Sequence, residues 1–145
     1  MKAMKRTTAA AAAILMLGLG GCASTANRPD EPQTRAESSG YTATSRDADV
    51  EAFIAALAPQ STDIHVTSMG KTAKGTNIPA FIISRDHAFT PQAAHAQNKP
   101  IVMVVANIHA GEVEGKEAVL MLARDMTNGT LTAWQKDMTI VCVPN

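Results

Sequence analysis

The chain has 145 residues, with thirteen basic and thirteen acidic side chains and no net charge at neutral pH. That length suffices for one domain with a real core, and the charge balance argues against a nucleic-acid partner, which needs a basic excess. Aromatic residues make up only 3%, so alanine and methionine supply much of the apolar content.

Lys2, Lys5 and Arg6 form a basic start, followed by an uncharged apolar run from Ala9 to Leu19. The run is too short to cross a bilayer, which takes about 20 residues, and it has the length of a signal-peptide core. It ends in Leu19, Gly20, Gly21 and Cys22, which resembles the bacterial lipoprotein cleavage box. The resemblance implies a signal peptide over residues 1–21 and a lipidated Cys22 as the new N-terminus, anchoring the chain to a membrane. Ser24 stands two places after the cysteine, where inner-membrane retention would call for aspartate. The implied location is therefore the cell envelope, at the outer membrane facing the periplasm. The plainer reading is an ordinary signal peptide followed by an incidental cysteine. Lipidation of Cys22 would leave Cys142 without an intrachain partner. Cys142 lies in the apolar run 138–143 and reads as a buried strand residue.

Residues 22–47 are rich in small, polar and charged side chains, without apolar periodicity. They read as a flexible tether, with the folded domain spanning 48–145. Asp47 or Asp49 is placed to cap a helix running to Leu57, with Val50, Phe53, Ile54 and Leu57 on one face. Pro59 ends it. Residues 63–69 alternate as a strand, Gly70 to Gly75 form a turn, and residues 78–84 form a second strand, together a hairpin. Pro79 suits an edge or a strand start. Residues 85–99 read as a polar loop. Residues 101–106 are apolar on both faces, as in a central strand covered on each side. Residues 112–125 have helical character, with Val113, Ala118, Val119, Leu122 and Met126 able to face a sheet, and Asn128 and Gly129 close the helix. Residues 139–143 form a further buried strand, after a loop in which Trp134 packs. Helices between strands indicate an α/β domain with a partly parallel sheet.

The chemistry concentrates just after strand 101–106. His109 and Glu112 stand three apart, with Gly111 between them and a helix starting behind them. Ligands gather at the carboxyl ends of strands in open α/β sheets. Across a tight turn, this spacing lets an imidazole nitrogen and a carboxylate reach one metal ion. A bare His-x-x-Glu is a weak signal, and a strand-end histidine bonded to backbone is the bland alternative. Gly111 strengthens the metal reading because it permits a turn closed to other residues.

The run from Ala106 to Ala118 closely resembles the first zinc motif of the M14 metallocarboxypeptidases. The turn 70–75 with strand 78–84 is similar to the Gly-x-Ser/Thr-x-x-Gly hairpin of that family. The end of the chain, 141–145, resembles the strand leading to its Pro-x-x-Asn-x-Asp-Gly turn. The likeness covers about residues 50 to 145. It implies a three-layer α/β/α fold with a mixed, partly parallel sheet, incomplete in this chain. It implies a zinc peptidase acting on peptides, with His109 and Glu112 as the first two zinc ligands. By the same resemblance the third ligand, the substrate-binding arginines and the general base fall beyond Asn145. No catalytic residue is therefore expected in this chain, and little or no activity from it alone. His65, His87 and His95 lie upstream of the motif and read as strand or loop residues. Glu114 reads as a first-turn carboxylate favoured by the helix dipole, and Glu117 as structural. Met121 and Met126 read as core filler.

Two other functions compete. The aspartoacylase and desuccinylase branch of zinc hydrolases shares His-x-x-Glu, but the hairpin and the Glu-Gly-Lys-Glu continuation favour the peptidase. A non-catalytic envelope lipoprotein would leave His109 and Glu112 incidental.

Overall fold

The structure is a computed structural model that describes residues 31–128 and 131–144. The proposed signal peptide, Cys22 and the first part of the tether lie outside the described residues. Helix α1 spans Arg35–Ser38 and α2 Asp47–Leu57, which runs into a 3-10 turn at Ala58–Gln60. Strands β1 (Ile64–Lys71) and β2 (Asn77–Ile83) precede α3 (Pro91–Ala96) and β3 (Ile101–Val105). Helices α4 (Glu114–Thr127) and α5 (Thr132–Gln135) then lead to β4 (Thr139–Val143).

The four strands form one mixed sheet in the order β1-β2-β4-β3. β1 and β2 are the expected antiparallel hairpin, with the register shifted by a bulge between Ser68 and Gly70. β2 pairs antiparallel with β4, and β4 runs parallel to β3. Parallel neighbours need a crossover, and α4 supplies it. The sheet is thus mixed and partly parallel, as the sequence implies.

Helix α2 starts where the Asp49 carboxylate accepts the Arg46 N–H at 2.9 Å. Its expected face, Val50, Phe53, Ile54 and Leu57, is buried. It packs with Val119, Leu120, Ala123 and Met126 of α4 against Phe81, Ile83, Ile140 and Cys142 of the sheet. Each large apolar side chain so buried contributes about 1.5–3 kcal/mol. Within α4, Met126 is core as expected, but Ala118 is exposed and Leu120 takes its place. Cys142 is the buried strand residue expected, and burial pushes its thiol pKa up to about 12.

Four expectations are corrected. The tether does not extend to residue 47. Residues 34–46 are folded onto α4, because their backbone and hydroxyl donors find buried acceptors there. The segment 85–99 is not all loop. Thr90 accepts the Ala93 N–H and Pro91 takes the first helical position of α3. Phe89, just before it, stacks on His65 of β1, with ring centroids 5.1 Å apart. Finally, β3 is an edge strand, with Ile101, Val102, Met103 and Val105 all exposed. Its apolarity on both faces is that of a covered strand, but among the described residues nothing covers it. Trp134 likewise lies in α5, 56% exposed, instead of packing in a loop.

Candidate metal site and its supporting strap

The candidate site is the loop that carries the chain from β3 into α4. Ala106 extends the parallel pairing by donating its N–H to Val143 O at 2.9 Å. The chain then turns away at Asn107, whose φ of 54° lies in the left-handed region that asparagine tolerates better than most residues. A turn follows over His109–Glu112, with the Glu112 N–H donating to His109 O at 3.2 Å. Gly111, the third residue of that turn, has φ of 100°, a value that favours glycine. The turn folds the two side chains back toward each other. His109 Nδ1 lies 3.2 Å from both Glu112 Oε1 and Glu112 Oε2. Both side chains are open to solvent, 77% and 65% exposed.

That spacing fits a shared metal. Ligands about 2.0–2.2 Å from a tetrahedral zinc ion stand roughly 3.4 Å from each other, close to the observed separation. Without a cation, the same atoms make an ion pair when the imidazole is protonated. Among the described residues no third histidine, cysteine, aspartate or glutamate joins them. His65 stacks on Phe89, His87 lies 3.6 Å from Asp63, and His95 belongs to α3.

Close packing holds the loop in place. A Cβ on Gly115 would sit 3.3 Å from the Ala106 Cβ, so the first turn of α4 rests directly on the end of β3.

One turn further on, α4 carries a buried cluster whose partners the sequence did not disclose. Glu117 Oε1 accepts from Thr44 Oγ1 at 2.8 Å and from the Ser45 N–H at 2.5 Å. Glu117 Oε2 accepts from the Ala36 N–H at 3.3 Å and from Ser45 Oγ at 3.1 Å. Lys116 Nζ donates to Ser45 O. Burial alone would raise the pKa of Glu117, but the bonds from Ser45 and Thr44 outweigh it and hold the carboxyl below its usual range. Near the other end of α4, Arg124 grips Glu37 with two nitrogens, each bond 2.8 Å long. Glu37 also closes the cap of α1, accepting the Thr34 N–H at 2.9 Å. Its pKa is lowered as well. Desolvation opposes the shift and Arg124 leads the groups that produce it. Residues 34–46 are thus a strap fastened along α4. The reading of Glu117 as structural fits these contacts. The signal that the sequence does hold is an acidic residue on the apolar side of an amphipathic helix, which demands buried donors.

The family model for zinc carboxypeptidases, M14, matches residues 50–145. The chain belongs to the zinc carboxypeptidase family. Two solved structures are similar in fold to this family member. Carboxypeptidase A from Helicoverpa armigera aligns at 20% identity with a TM-score of 0.58, covering 69% of this chain and 24% of that one. A metallo-carboxypeptidase from Burkholderia cenocepacia aligns at 21% identity with a TM-score of 0.52, covering 70% and 26%. The carboxypeptidase-like chain therefore spans about a quarter of the length of either. A comparison with curated proteins finds no match.

Proposed function

We propose that this chain serves zinc-dependent peptide hydrolysis of the carboxypeptidase kind, with His109 and Glu112 as two of the metal's ligands. The observation that carries the reading is the convergence of His109 Nδ1 and the Glu112 carboxylate at 3.2 Å, at the carboxyl end of β3. Membership of the zinc carboxypeptidase family supports it. A bound zinc would lower the pKa of a water and polarise a peptide carbonyl. The chain's own part is to hold the imidazole and carboxylate in position through the Gly111 turn and the contact of Gly115 with Ala106. The substrate would be a peptide.

Catalytic zinc sites use three protein ligands, and the described residues bring two together. Zinc binding by this chain is therefore expected to be weak and hydrolysis slight. The test is calorimetric titration of the metal-free chain with zinc. A single binding event is expected, abolished by His109→Ala and by Glu112→Ala. Equal binding by the parent and by both variants would refute the assignment.

From the sequence we further propose that Cys22 carries lipid and places the domain at the cell envelope. The basic start, the short apolar run and the Leu19 to Cys22 box support this. Labelled palmitate should enter the chain expressed in a bacterium, and Cys22→Ser should abolish the label. Undiminished label in that variant would dismiss the proposal.

A further inference from the structure

The strap and α4 line an open cleft of about 480 Å³ that reaches Val113 and Glu114, the residues next in the chain to Glu112. Its walls are Ala36, Tyr41 and Ala43 from the strap and Val113, Glu114 and Met121 from the helix side. Val113 and Glu114 directly follow Glu112, and consecutive Cα atoms are about 3.8 Å apart. The cleft thus begins one residue length along the backbone from Glu112. An extended peptide advances about 3.3 Å per residue. A side chain one or two positions from a bond at the metal pair therefore comes within reach of it.

The lining specifies what side chain it suits. Alanines, a valine and a methionine make an apolar channel that accepts a hydrocarbon stem. Tyr41 is 72% exposed and is held with φ of 63°, a conformation that is an outlier for a bulky side chain. Such strain persists where surrounding contacts impose it, and it gathers at ligand clamps. Here the Tyr41 N–H is tied to Ala36 O at 2.7 Å, and Glu117 anchors both ends of the segment through Ala36 and Ser45. The Glu114 carboxylate is exposed on the helix side of the same opening. The Glu117 carboxylate, by contrast, is filled by strap donors and is not free to meet a ligand.

We propose that this cleft is a peptide subsite for a lysine or arginine side chain. The aliphatic stem lies along Ala43, Val113 and Met121, and the cationic head meets the Tyr41 ring and the Glu114 carboxylate. Long basic side chains divide in this way between apolar surface and a polar exit, and a cation over an aromatic face is attracted by the ring. The subsite's place in a reaction rests on the proposed zinc peptidase function. Its preference for basic side chains rests on the cleft itself.

The experiment titrates the full ¹⁵N-labelled chain with Nα-acetyl-lysine amide and with Nα-acetyl-norleucine amide, which share the hydrocarbon stem and differ in the ammonium group. The lysine compound should bind roughly fivefold more tightly, from one exposed charge pair and one cation–π contact. Amide shifts should appear at Thr42, Ala43 and Val113. Glu114→Gln and Tyr41→Ala should each narrow the gap between the two ligands. His109→Ala should keep the lysine preference while losing zinc. Equal affinities, shifts confined to another surface, or a preference unaltered by Glu114→Gln would overturn the assignment. A lysine preference without zinc binding would remove only the metal reading. Zinc binding without a lysine preference would remove only the subsite.

Discussion

Glu117→Gln tests the strap by exchanging one oxygen for an amide. In the native cluster both carboxylate oxygens act only as acceptors, for Thr44 Oγ1, the Ser45 N–H, Ser45 Oγ and the Ala36 N–H. A glutamine keeps one acceptor, best left on Thr44 and Ser45. Its NH₂ group then points at the Ala36 N–H, donor against donor, and one buried N–H loses its partner. An unsatisfied buried donor costs about 1–3 kcal/mol, and hydrogen bonds to a charged acceptor are worth about 1.5–3 kcal/mol. The variant should therefore be less stable by about 2–3 kcal/mol. With a urea m-value on the order of 1–1.5 kcal/mol/M for a domain of this size, the midpoint falls by about 2 M. Urea unfolding followed by far-UV circular dichroism measures this directly. Limited trypsin digestion should also open the chain at Arg35 and Arg46, the basic residues within the strap. A midpoint within about 0.3 M of the parent, with the strap still resistant to trypsin, would refute the view that this carboxylate fastens the strap.

Acid should release the strap before the sheet. Glu37 and Glu117 have folded-state pKa values below their ordinary range, so the unfolded state binds more protons at low pH. The stability they contribute is full above about pH 4.3 and is lost as pH falls through the lowered values. Amide exchange at Ala36 and Ser45, compared between pH 6 and pH 3, should show selective loss of protection while β2 and β4 stay protected; simultaneous loss everywhere would count against it. At Gly115, alanine would ordinarily stabilise a helix by about 1 kcal/mol. Here the added Cβ meets Ala106 at 3.3 Å, so Gly115→Ala should bring no gain in denaturation midpoint and should weaken zinc binding. The full gain with unaltered binding would show that the contact is slack.

Elements made of near neighbours were legible in the sequence. The hairpin of β1 and β2, the buried face of α2, and the His109–Glu112 pair all rest on patterns within about twenty residues. The strap was not legible, because its donors lie 72 and 81 residues from Glu117. A polar run meets buried acceptors only once α4 is in place, and composition carries no trace of that. The β3 strand shows the reverse. Its residues are those of a covered strand, but strand order is a property of the whole sheet, and here β3 stands at the edge. The short helix α3 is marked by Thr90 and Pro91, a cap signal set in a run whose polar composition otherwise reads as loop. The closeness of His109 and Glu112 needed only a turn and two side chains, and the resemblance to the first zinc motif singled them out. The cleft that reaches Val113 and Glu114 needed the strap and was hidden with it.

The fastening of residues 34–46 to α4 also sets an order of events during synthesis. The strap is among the first of the described residues to be made, and its principal acceptor, Glu117, follows some 72–81 residues later. At about 5–20 residues per second, that is a wait of roughly 4–16 s. The β1–β2 hairpin can pair meanwhile, since hairpins close in about 1–10 μs. Made early and placed late, the strap closes over a helix that already exists, and its docking should register as a late step in refolding of the intact chain.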